Sequence, residues 1–206
     1  MDPLTVNPGP GFRLPRWGRF PRAAVRSFGA SVLAAAAVLA AAPVCAQSEA
    51  QSEYRVKAAF LYKFGSYVEW PDRTFPRPDS PLTIGVMGAD ALAEELAQIV
   101  SGRSVNGRPV QVRKLRPGEP MAGLQVLFIG RADSGRLAEI LAAAKGRSLL
   151  TVTESEDALQ LGSVINFVVI DDKVRFDVAL PPADLGSLKI SSRLLAVARK
   201  VVSRPS

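Results

Sequence analysis

Residues 124–129 read LQVLFI, an apolar run of strand length. A strand without polar alternation is one buried on both faces, and such strands occur in sheets covered by helices on either side. Segments on both sides of this run continue the theme. Upstream, LTIGVM at 82–87 is a short strand and residues 90–101 form a helix with Leu92, Leu96, Ile99 and Val100 on one side. Asn106-Gly107 marks a turn, and 110–115 is a further strand. Downstream, a helix over 134–145 ends at Gly146, a strand follows over 148–152, and 153–162 holds a turn and a short helix.

The last third changes character. Residues 164–170 and 174–180 are strands flanking Asp171-Asp172-Lys173, a tight reversal. Val174, Phe176 and Val178 alternate with Arg175 and Asp177, the pattern of a half-buried antiparallel strand at or near a sheet edge. A closing helix is expected over 191–203, with Leu194, Leu195, Ala198, Val201 and Val202 inward. Near the other end, 53–70 reads as an amphipathic helix on Val56, Phe60, Phe64 and Tyr67, stopped by Pro71. Four prolines make 71–81 a stiff connection. The expected architecture is an α/β domain over 53–203: a single mixed β-sheet of about six strands, flanked by helices on both faces. Phe60 and Phe64 should be core residues, with Leu194 and Leu195 on the same sheet.

The first 46 residues follow another logic. An arginine-bearing region precedes the apolar run ASVLAAAAVLAAA at 30–42, then Pro43 and Val44-Cys45-Ala46, with small residues at the cleavage positions. That order is a secretory signal peptide, and 13 residues fall short of the roughly 20 a spanning helix needs. Cleavage is expected before Gln47, leaving 47–52 as a polar leader and the domain in the periplasm. The formal charge of +7 is inflated by this segment, which holds five arginines and one acid. The remainder carries 21 basic and 18 acidic side chains, about +3, an ordinary solvated surface that gives no reason to expect nucleic acid.

The chain has no histidine, and its one cysteine, Cys45, falls in the signal. The usual general base, Ser-His-Asp and Cys-His nucleophiles and Cys/His zinc sites are therefore missing. No Walker loop or nucleophile elbow occurs. Gly85, Gly88 and Asp90 read more simply as a strand-to-helix turn with Asp90 capping than as an anion site. Glu154, Glu156 and Asp157 lack the alternation of a calcium loop and read as a solvated helix start. No cofactor, metal or catalytic residue is expected. Lys189, Arg193, Arg199, Lys200 and Arg204 lie along the closing helix, as a solvated basic face or a dock for an acidic partner or phospholipid headgroups.

Two longer motifs stand out: YRVKAAFLYKFGSYVEWP at 54–71 and GSLKISSRLLAVARKV at 186–201. Between them lie LTIGVMG, the Gly-Arg-Pro-Val of 107–110, LLTVTES and INFVVIDDKVRFDV. In this order they resemble the YfiR family of periplasmic proteins across nearly all of 53–202. The resemblance implies a compact, often dimeric α/β domain without catalytic activity. It implies repression of an inner-membrane diguanylate cyclase through that enzyme's periplasmic part, with relief by an outer-membrane lipoprotein. Related domains serve as extracytoplasmic sensors. Two departures are visible: the mature chain has no cysteine for the disulfides common in the family, and Ser163 replaces one glycine of a common pair.

Three function classes follow: a repressor that binds a membrane cyclase, a sensor of a small ligand, and an enzyme using carboxylates or lysine. For the first, the partner-binding residues expected are Arg55, Tyr62 and Lys63 on the outer face of the first helix, beside Glu69, together with Lys189 and Arg193 near the C-terminus.

Overall fold

A computed structural model describes residues 50–203. The expected signal peptide and its cleavage site lie outside the described residues. The opening helix, α1, covers 50–67, so residues 50–52 of the expected polar leader are helical. It stops three residues before Trp70, because Val68–Glu69 extend into a short strand, β1. The residue before a proline is steered away from helical backbone, and Pro71 begins the stiff connection (φ −57°, ψ 146°).

Next come β2 (Leu82–Met87), α2 (Asp90–Val100), β3 (Ser104–Val105), β4 (Arg108–Leu115) and β5 (Val126–Ile129). A 3-10 turn over Arg131–Arg136 leads into α3 (Leu137–Ala144). Then follow β6 (Leu150–Thr153), β7 (Ile165–Ile170), β8 (Lys173–Ala179), α4 (Leu180–Leu185), β9 (Lys189–Ile190), α5 (Ser192–Val197) and β10 (Lys200–Val202). The main sheet has eight strands in the order β10-β8-β7-β6-β5-β2-β4-β3, and β1 pairs with β9 in a separate two-stranded ribbon. This replaces the single sheet of about six strands. The α/β character and the mixed pairing stand: β4, β2, β5, β6 and β7 run parallel, while β7 and β8 form an antiparallel hairpin around Asp171-Asp172.

Three local expectations are corrected. The closing helix over 191–203 is only α5, after which residues 200–202 become a parallel strand on β8. The cause is tertiary: the Arg199 N–H donates to Phe176 O at 2.9 Å and the guanidinium grips the Asp177 carboxylate, so the chain is laid along an open sheet edge. Lys189 and Lys200 therefore stand on strands rather than on one basic helix. The stretch 153–162 holds turns and no helix. Finally, the expected strand over 174–180 ends at Ala179, and Leu180 opens α4 with Pro181 and Pro182 in its first turn; proline is tolerated there because first-turn N–H groups have no intrahelical partner.

Two apolar layers sandwich the sheet. On one face, Leu61 and Phe64 of α1 and Leu92 and Leu96 of α2 meet Ile84, Val126, Phe128, Val152 and Phe176. Phe64 is fully buried and its ring lies 5.8 Å from Phe167 and 5.2 Å from Phe176. Phe60 is only half-buried, and of the closing leucines Leu194 is buried and Leu195 half-buried. On the other face α3 packs Leu137, Ile140 and Leu141 over Met87, Leu115, Leu127 and Ile129. No residue of β7, β8 or β10 enters that second cluster.

Candidate interaction surface

The two long sequence motifs meet in space. At the end of α1, Val68 pairs with Ile190 and Glu69 with Lys189, and the Ser191 N–H donates to Tyr67 O at 2.9 Å. Ser191 then caps α5 through its hydroxyl, which accepts from the Arg193 N–H at 3.3 Å. Lys189 and Arg193 are exposed, and the ribbon places their segment against the end of α1.

On α1 itself Arg55 and Lys63 are exposed. Tyr62 differs from its expected outward placement. Its ring is half-buried against the core, its hydroxyl donates to Ser104 O at 3.1 Å, and the Arg103 guanidinium sits 5.7 Å from the ring centroid. Helical spacing gives the azimuth of Tyr62, but β3, forty residues on in sequence, supplies the neighbour that covers it. Arg55 is seven residues earlier, on the same helical stripe.

Ligands of open α/β sheets sit at the carboxyl ends of the strands, where the strand order reverses. Here that point lies between β2 and β5, since β2 continues to β4 on one side while β5 lies on the other. It is filled. A Cβ on Gly130 would overlap Gly88 O, and one on Gly88 (φ +68°) would lie 2.6 Å from Asp133 Oδ2. The α2 N-cap is Ala89, with Asp90 as the first helical residue rather than the cap.

Beside this contact lies a charged cluster that local sequence reasoning missed. Lys57 of α1 is 0% exposed and its ammonium donates to the carboxylates of Glu53 and Glu154. The Arg131 N–H donates to Glu154 Oε1 at 3.1 Å, and the Arg131 guanidinium lies 3.4 Å from Glu53. Glu154, expected at a solvated helix start, is buried at the end of β6. Of the four, Lys57 and Glu154 are buried, and their pairing is what makes that burial tolerable. The group joins α1 to the ends of β5 and β6 and offers no vacant ligand position.

A second polar group lies on the face of β6 and β7 away from α1. Thr153 Oγ1 is 2.8 Å from Asn166 Oδ1 and 3.0 Å from Ser163 Oγ, and the Ser163 hydroxyl donates to Ile165 O at 2.8 Å. Ser163, the departure from the family pattern, is fully buried and satisfied there. Next to Asn166 on β8, Asp177 holds Arg199; this pairing raises the Arg199 pKa above its ordinary value, chiefly through the hydrogen bond to the carboxylate. Among the described residues, no group of three or more His, Cys, Asp or Glu is placed to hold a metal ion, and no helix is long and apolar enough to cross a membrane.

The sequence profile of the family described as YfiR/HmsC-like matches residues 54–199, from the start of the first long motif to two residues before the end of the second. No curated protein matches the chain.

Proposed function

The chain belongs to the YfiR/HmsC-like family, and from that premise we propose that it represses an inner-membrane diguanylate cyclase by binding the enzyme's periplasmic part. Family membership over residues 54–199 carries this reading, because it supports a periplasmic regulatory role in cyclic-di-GMP signalling without catalysis by the domain itself. The closed crevice at the strand ends is compatible with such a role. A repressor needs only to bind one state of its target better than another, and a coupling of about 1–3 kcal/mol, roughly 5–150-fold, is typical.

The contact surface in this reading is the α1 face with Arg55, Tyr62 and Lys63, continued through the β1–β9 ribbon to Lys189 and Arg193. An outer-membrane lipoprotein that relieves repression and a homodimer are the other partners it implies. The test is co-purification from detergent-solubilised membranes with a cyclase encoded beside this gene. Wild-type protein should retain the cyclase, and charge reversal at Arg55, Lys63, Lys189 and Arg193 should release it while the fold stays intact. Equal retention by the reversed protein would remove this surface. The sensor reading gains support from a hollow between α3 and α4 whose lining shares no residue with α1.

A further inference from the structure

We propose that the hollow between α3, the 159–162 turn and α4 binds a free medium-chain fatty acid, its chain inside and its carboxylate at Lys145 and Arg147. The inference goes beyond the cyclase contact and does not depend on it, since none of these residues lies on α1, β9 or α5.

The hollow has a volume of about 420 Å³, within the roughly 300–1,000 Å³ of small-molecule sites. Buried Leu141, Leu149 and Val164 form its floor and Pro182 one wall. Leu161 and Leu185, 45% and 52% exposed, stand among its lining. A single exposed leucine needs no explanation. Two beside one apolar hollow make a continuous surface that an alkyl chain would cover.

The charged groups in the lining itself are both cationic, with Asp157 just outside it. Lys145 and Arg147 are the only ionisable side chains in its lining, both are exposed, and neither makes an ion pair among the described residues. The end of α3 itself favours a cation at Lys145. Arg147 lies beyond that helix and has no such explanation. Apolar walls with two cations at one side complement an alkyl chain ending in an anion. Gln160, the other polar side chain nearest the turn, already donates to Asp157 Oδ1 at 3.2 Å.

The walls are also set before any ligand arrives. A Cβ on Gly186 would overlap Arg147 O, so the end of α4 touches the 146–149 backbone directly. Pro181 and Pro182 fix the backbone at the start of α4. A preformed hollow spares a ligand the ordering cost of building it.

The experiment is calorimetric titration of the purified chain with decanoate below its micelle concentration. One saturable site is expected, and hexanoate should bind at least about tenfold more weakly for its lost methylenes. Leu185→Asp should weaken decanoate by about tenfold or more. The side chain is half exposed, so circular dichroism should show an unchanged fold. Lys145→Gln with Arg147→Gln should weaken decanoate several-fold and leave decanol unaffected. Decanol binding as tightly as decanoate, Leu185→Asp leaving affinity unchanged, or no saturable heat would each overturn the proposal. So would sedimentation with phosphatidylglycerol vesicles that depends on Lys145 and Arg147, with no response to decanoate, because the cations would then face a membrane.

Discussion

Strands β2, β5 and β6 are buried along almost their whole length, with α1 and α2 over one face and α3 over the other. The β7–β8 hairpin belongs to the same sheet but obeys a different rule. Ile165, Phe167, Phe176 and Val178 face α1 and are buried, whereas the opposite face runs through Asn166, Val168, Ile170, Lys173 and Arg175 towards water. The first half is held by hydrocarbon on two sides. The second is held by hydrocarbon on one side, and on the other by hydrogen bonds and the Asp177–Arg199 grip. The contrast teaches that the hairpin half can present a surface without exposing a core, and that it depends on a few specific polar pairs.

The largest expected effect lies in the covered half. Phe128 and Phe64 are fully buried, and truncating either to alanine should cost about 3–5 kcal/mol, much of the roughly 5–15 kcal/mol of a typical domain. Urea unfolding checks this. Phe60, only half-buried, should cost clearly less, and equal losses at Phe60 and Phe64 would mean that α1 is rotated. Breaking the buried ion cluster is expected to be comparably severe: Glu154→Gln leaves Lys57 without its buried partner, worth about 3–5 kcal/mol in such cases. Replacing Lys57 and Glu154 together by apolar residues should restore much of the loss. A double variant as unstable as Glu154→Gln would show that packing, not uncompensated charge, is the cause.

How much of this was legible in the sequence depends on the distance between the groups that decide it. LQVLFI announces β5 because burial on both faces is written in its own residues. The alternation of Val174, Phe176 and Val178 with Arg175 and Asp177 likewise announces the half-exposed β8. Residues 200–202 gave no such signal: helix or strand there is decided by Asp177, 22 residues away. Glu154 looked solvated because its partner Lys57 is 97 residues distant. Tyr62 was placed outward by helical spacing alone, while Ser104 and Arg103 close over it. For the interaction surface, sequence supplied the exposed charges of Arg55, Lys63, Lys189 and Arg193, but not the β1–β9 pairing that joins their segments.

Smaller effects sharpen the contrast in the hairpin half. Asp177→Asn should loosen β10 with little change in the overall urea midpoint, seen as faster amide exchange at Val201 and Val202. Protection at those amides unaltered by the substitution would assign β10 to backbone pairing alone. Ile170, 39% exposed on the open face, should tolerate threonine within about 0.5 kcal/mol. A loss beyond about 2 kcal/mol would mean that this face is covered in solution.

The smallest effect concerns Arg136, which caps the start of α3, and Glu139 on its first turn. The Arg136 hydrogen bond holds the Glu139 carboxyl below its ordinary value. A carboxylate with a depressed folded pKa stabilises above its unfolded value, about 4.3, and that contribution disappears as pH falls through the folded value. Wild type and Glu139→Gln should therefore differ slightly in Tm at pH 7 and converge in acid. A difference that persists at pH 2 would have another origin.

In the proposed function, regulation is exerted from outside the cytoplasm by a domain that binds. Cellular cyclic-di-GMP should be measured in cells expressing a membrane diguanylate cyclase with the full-length chain, and with a version lacking residues 1–46. Exported chain should lower the nucleotide level severalfold, charge reversal at Arg55, Lys63, Lys189 and Arg193 should abolish the drop, and the version retained in the cytoplasm should have no effect. Equal lowering by exported and retained chains, or no lowering by either, would contradict it.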